Sequence, residues 1–327
     1  MDRTEQYRLN QGCEQLEDLV SRLEYVLRQM ESNTIPTVLL TPVNKHVPEQ
    51  VQPLPAAIPI QPKSHIAHTV ACYCFGRFRV FQDDRMIQGW NGHKGQLILK
   101  YLITHAGKPV AKEILMEALW PETDPDAARR NLHQAIYSVR HTLKAHDATF
   151  EHILFRHESY LLNPSIHLWI DFVEFEKQIQ CGRVWESKHN TMAAMETYAC
   201  AEALFQGHFL QDEPHEEWVE RKRLQLQNLY LEIADKLSHH YVAEQQFRAA
   251  ILQCQRILTV DHCHEPAHQV LMQCYWQQGQ RHLAVMQYQT CVQALRDTLG
   301  LSPSDATRQI YQQLLRPPAS RPVLNVA

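Results

Sequence analysis

Apolar positions along this chain follow three rhythms. Near the start, Leu9, Leu16, Leu23 and Met30 repeat every seven residues, and Cys13, Val20 and Leu27 repeat every seven in the complementary position. That is an a/d seam, and it predicts a heptad-repeat helix over residues 1–33 that pairs with a second copy or a partner. From 70 to 90 the pattern alternates. Val70 to Phe75 and Phe78 to Phe81 read as strands, Gln82 to Arg85 as a turn and Met86-Ile87 as a return. Beyond that the helical rhythm dominates.

A first helix is predicted from Lys94 to His105, with Gly107 as its stop, and a second from Lys112 to Trp120, burying Ile114, Leu115, Ala118 and Leu119. Asp124-Pro125 reads as N-cap and first helical residue of a third helix, which runs from Asp126 to Ala145. In that helix Leu132, Ile136, Val139 and Leu143 make an apolar face, and Arg130, Gln134, Tyr137 and His141 point nearly the opposite way. One face suits a core and the other suits phosphates and base edges. Glu151 to Phe155 and Tyr160 to Asn163 flank Arg156-His157-Glu158-Ser159 as a hairpin wing. From Phe172 the pattern is helical to about residue 315. Tyr241 and Tyr275, Ala250 and Ala284, and Gln253 and Gln287 recur with a period of 34, the tetratricopeptide length.

These elements predict a mainly α protein with a small β component. The expected order is a short coiled-coil helix (1–33), a linker (34–66), a winged helix-turn-helix domain (67–165), a tetratricopeptide-like helical domain (166–316) and a disordered tail (317–327). The linker carries seven prolines and no glycine, so it is extended and semi-rigid.

Composition refines this picture little. The net charge is −4, yet from Pro125 to Ala145 Arg129, Arg130, Arg140 and Lys144 face Asp126 alone, with His133 and His141 in reserve. A local basic face is what phosphate contact needs. The nine cysteines are scattered and fit no disulfide framework. His262-Cys263-His264 lacks a second ligand pair at zinc spacing, so it reads as a polar turn and no metal or cofactor is expected. No segment reaches the roughly 18 apolar residues of a membrane span, and the polar start MDRTEQYRLNQ has no signal-peptide core, so no membrane association and a cytoplasmic location are expected. No strand-to-helix glycine turn presents a nucleophile and no GxxxxGK[ST] occurs, so no enzyme is expected.

Several strings in order resemble the SARP family of bacterial transcriptional activators. They are Gly107-Lys108-Pro109-Val110, Ala118-Leu119-Trp120-Pro121, Asp124-Pro125-Asp126-Ala127-Ala128-Arg129 with Asn131-Leu132, then Trp169-Ile170-Asp171, Glu216-Glu217-Trp218-Val219-Glu220 and Leu299-Gly300-Leu301-Ser302-Pro303. The resemblance covers residues 72 to 315. It implies an OmpR-type winged helix followed by a bacterial transcriptional activation domain. Ala111 stands where relatives usually carry Ser or Thr, at a cost of about 1 kcal/mol in lost capping. Tyr137 and Ser138 stand where OmpR-type relatives often carry arginine.

By this resemblance the third helix lies in the major groove of double-stranded DNA. Arg130 and Arg140 are expected to clamp phosphates, and Gln134, Tyr137 and Ser138 to approach base edges. Arg129, Asn131, His133, His141 and Lys144 complete the helix's candidate contacts, Arg156 and His157 those of the wing tip, and Lys94 with His93 those of the first helix's N-terminus. Pro121, Glu122, Thr123 and Asp124 match the loop that touches RNA polymerase. The heptads add a homodimer, and DNA binding adds nucleoid association. The alternative is a tetratricopeptide-like scaffold whose winged helix serves protein contacts.

Overall fold

The computed structural model describes residues 69–315 except 84, 91 and 145–149. The heptad seam from Leu9 to Met30, the proline-rich linker and the tail after Leu315 lie outside the described residues.

The chain opens with β1 (Thr69–Tyr73), β2 (Arg79–Gln82) and β3 (Arg85–Met86). Val70, Cys72 and Cys74 alternate inward and are all buried. Next come α1 (His93–Thr104), β4 (Val110–Ala111), α2 (Lys112–Leu119) and α3 (Pro125–Leu143). The hairpin is β5 (Ile153–Arg156) and β6 (Ser159–Leu162), followed by β7 (His167–Ile170). Seven helices follow: α4 (Asp171–Ser187), α5 (Thr191–Leu204), α6 (Glu217–Ala243), α7 (Phe247–Val260), α8 (Glu265–Gln277), α9 (Arg281–Leu299) and α10 (Asp305–Leu315). Neighbouring helices pack in pairs, α4 on α5, α6 on α7 and α8 on α9.

Two sheets form. One has the order β3-β2-β1-β7 and the other β4-β6-β5. β1 runs antiparallel to β2 and parallel to β7, with Val70 opposite Leu168 and Cys72 opposite Ile170. β7 lies beyond the boundary expected at residue 165, yet it completes the first sheet.

One buried cluster runs from Val70 to Cys274, so winged helix and helical layer share a core. The segment between α5 and α6 is the weld. Phe209 bridges Phe75, Gly76 N–H donates to His208 O, and Leu210 N–H donates to Cys74 O. Asp171, buried at the start of α4, accepts from Cys74 N and Phe75 N through Oδ2 and from Phe172 N through Oδ1. Burial raises its carboxyl to about 6 against the lowering effect of those three donors. Lys100 of α1 is 0% exposed, and its Nζ lies 2.6 Å from both Asp212 and Glu213.

Arg223 is half-buried on α6. Its guanidinium donates to the carbonyls of Phe209, Leu210 and Glu213, tying the weld to α6. Lys222 likewise reaches Glu176 on α4 at 2.7 Å. Arg223 gives the carbonyls of the turn a side-chain donor, and Lys222 joins α6 to α4.

Candidate nucleic-acid interface

α3 forms where its cap begins it. Asp124 Oδ1 accepts from Asp126 N and Ala127 N, and Pro125 needs no donor at the first position. Leu132, Ile136, Val139 and Leu143 are buried. Gly95 lets α1 come close, because a Cβ there would stand 3.3 Å from Ala135 O.

The opposite face is open. Arg129, Arg130, Asn131, His133, Gln134, Tyr137 and His141 are exposed, and Ser138 is half-buried. Tyr137 is 71% exposed, and its ring lies 6.3 Å from that of His141. Asn131, Gln134, Tyr137, Ser138 and His141 line one side of a groove of about 610 Å³, with Gly92, Lys94, Gly95 and Trp120 on the other. The groove therefore lies between the candidate face of α3 and the N-terminal turn of α1, whose free N–H groups favour anions.

Not every predicted cation is free for phosphate. Arg140 donates Nε and Nη2 to Ile153 O at 3.1 and 2.8 Å, so it fastens α3 to the wing. This replaces the expected phosphate clamp: a guanidinium satisfies the carbonyl that β5 leaves open at the sheet edge. Lys94 Nζ donates to Leu119 O at 2.9 Å and lies 5.8 Å from the Trp120 ring centroid, closing the C-terminal carbonyls of α2. Arg129 makes an exposed pair with Asp126 at 3.3 Å, a weak tie. Arg130 and Arg156 are exposed, and Lys144 sits half-buried at the C-cap of α3.

The wing turns at His157 and Glu158, both with positive φ, the conformation of a two-residue hairpin loop. It places Arg156 and His157 in solvent. The same turn braces the start of α2, where Ala111 offers no side-chain cap: Lys112 N donates to Glu158 O at 3.0 Å, and the two side chains pair as well. No sequence signal announced that exchange.

Pro121, Glu122 and Asp124 are exposed, and Thr123 is half-buried with its N–H on Trp120 O. Ile114, expected in the core, is instead 51% exposed on α2 between Glu113 and Glu117. Leu115 and Leu119 alone face inward fully, because an eight-residue helix gives the core only a narrow stripe. Loop and helix thus present an acidic strip with one apolar residue.

The comparisons with known proteins agree with this geometry. Residues 92–159 match the family "Transcriptional regulatory protein, C terminal", and residues 170–315 match the bacterial transcriptional activator domain. The chain is similar to the transcriptional regulatory protein MoaR1 of Mycobacterium bovis and of Mycobacterium tuberculosis. Each is 23% identical over 224 residues, covering 68% of this chain and 72% of the relative. Among solved structures it is similar to Mycobacterium tuberculosis EmbR in complex with a low affinity phosphopeptide. That match has 19% identity and a TM-score of 0.61, and it covers 76% of this chain and 65% of that chain, slightly under two thirds.

Proposed function

We propose that this protein, which belongs to the SARP family of transcriptional activators, regulates transcription by laying α3 in the major groove of a specific DNA site. One observation carries the reading. α3 keeps an exposed face of Arg130, Gln134, Tyr137 and His141, with the α1 N-terminus across a groove from it. An exposed tyrosine beside an amide and a histidine does nothing for the fold, whereas it suits base edges and methyl groups. Arg129, Arg130 and Lys144 supply phosphate contacts from the helix, and Arg156 supplies one from the wing, with His157 beside it at the tip.

The acidic strip of Glu113, Glu117 and the Pro121 to Asp124 loop would engage RNA polymerase, and the N-terminal heptads would hold two protomers on repeated half-sites. Four cations per protomer give a dimer eight phosphate contacts, so log K falls with log salt at a slope of about −7.

Selection of genomic fragments on full-length protein at two salt concentrations tests this, with an Arg130→Ala, Gln134→Ala variant alongside. Enriched sites with repeated half-sites, lost in the variant, are expected. A folded protein with no duplex affinity at low salt would overturn the reading and favour the scaffold alternative.

A further inference from the structure

We propose that His93, Glu213 and Glu216 form a binding site for a divalent transition-metal cation, spanning the junction between α1 and the weld. Their ligand atoms all lie within 4.8 Å of one another. His93 Nε2 and Glu213 Oε2 are 3.4 Å apart. Ligands held about 2.1 Å from a tetrahedral ion stand about 3.4 Å from each other, so this pair is already at ligand spacing.

Each ligand is prepared by its surroundings. Glu213 has a buried side chain whose Oε1 accepts from Lys100, which leaves Oε2 facing His93. Its backbone is fixed at both ends, N–H on Leu210 O and carbonyl on Arg223 Nη2. Such outer hydrogen bonds are what orient a ligating carboxylate. Glu216 occupies the N-cap of α6, but its carboxylate makes no capping bond and is not consumed by the helix. His93 is the first residue of α1 and largely exposed, so the ion has an entry path and room for water as a fourth ligand.

Charge points the same way. Lys100 is the ammonium for both Asp212 and Glu213, Glu216 adds a third carboxylate to the cluster, and Arg223 is matched by Glu220. Two negative charges remain, the complement of one divalent cation. An imidazole with carboxylates favours zinc, manganese, iron or nickel, whereas calcium and magnesium prefer oxygen alone.

Ligation would pin the residue beside Gly92, Lys94 and Gly95, which wall the groove facing α3. The cation would thereby couple the helical layer to the DNA-facing surface. That consequence rests on the proposed DNA reading, but the cation site does not.

Titration of the full-length protein with Co2+ tests the site, because the ion's visible absorption reports its ligands. One equivalent with no thiolate charge-transfer band is expected. His93→Ala and Glu216→Gln should each weaken binding at least about tenfold, the lower end of what losing a group behind a metal ligand costs. Neither residue is buried, so both variants should melt like the parent without metal. No binding, equal binding in the variants, or a thiolate band would overturn the proposal, the last by moving the ion towards Cys263. Affinity for a selected DNA site, with and without Co2+, reads the coupling separately. No change there removes the coupling and leaves the cation site. No DNA binding in either condition refutes the proposed function instead.

Discussion

Replacing Lys100 with methionine removes the one ammonium that holds α1 to the weld. Its side chain is wholly buried, with Asp212 Oδ2 and Glu213 Oε1 each 2.6 Å away and the Phe78 ring centroid at 5.0 Å. Without it, Glu213 remains as a buried carboxylate that has lost its ammonium. Taking one partner from a buried pair costs about 3–5 kcal/mol. Asp212 is about one-third exposed and can regain water, which puts the expected loss near the lower end, about 3 kcal/mol. With an m-value of about 3 kcal/mol/M, the urea midpoint falls by about 1 M. Both halves share one core, so tryptophan fluorescence and far-UV circular dichroism should follow the same transition. A Lys100→Met, Glu213→Met protein removes both charges and should recover much of the loss, because an apolar pair in place of a buried ion pair is often neutral or better. A midpoint shift under about 0.3 M for the single variant, or a double variant that merely sums two losses, would refute the assignment of Lys100 as the charge that compensates Glu213.

Gly182→Ala should be among the most destabilising single-methyl additions, at about 1–3 kcal/mol or more, since the new Cβ would stand 2.3 Å from the Tyr198 ring; thermal melting measures it. Arg130→Ala should lower the magnitude of the salt slope by about 1 per protomer, whereas Arg140→Ala should leave the slope alone and cost about 1–3 kcal/mol of stability, read by salt titration and urea unfolding together. Asp171 holds its proton more tightly folded than unfolded, so its contribution to stability falls as pH rises from about 4 to about 6, by up to about 3 kcal/mol. The stability of the parent relative to Asp171→Asn should therefore decline across that window, and a flat difference would contradict the raised value.

What the sequence disclosed depends on distance along the chain. α3 was legible because Asp124, Pro125 and four apolar residues at helical spacing are local signals, and the wing because its strands adjoin. The weld was not legible. Lys100 meets Asp212 across 112 positions, and no periodicity relates them. Arg140 was misread for a related reason. On a helical wheel, an arginine aimed at phosphate and one aimed at a neighbouring carbonyl look alike, and only the position of Ile153 separates them. Ile114 failed because apolar character alone does not say which residues of a short helix find a partner. The exposed polar face of α3 was visible in the pattern, but its groove was not, since Gly92, Lys94 and Trp120 come from other elements.

The parallel pairing of β1 with β7 has a practical consequence for anyone who would move this winged helix onto another protein. A cut between β6 and β7 falls at an inviting loop, yet it strips β1 of its neighbour and exposes the amides of Cys74 and Phe75 that Asp171 satisfies. A fragment ended there would carry a bare sheet edge, the kind that recruits strands from other molecules. A transferable winged helix must keep β7, the first turn of α4 and the strand-like stretch around Phe209 that closes over Phe75. The stretch around Phe209 is separated in sequence from the other two, so the winged helix cannot be transplanted as one uninterrupted cassette without the two intervening helices.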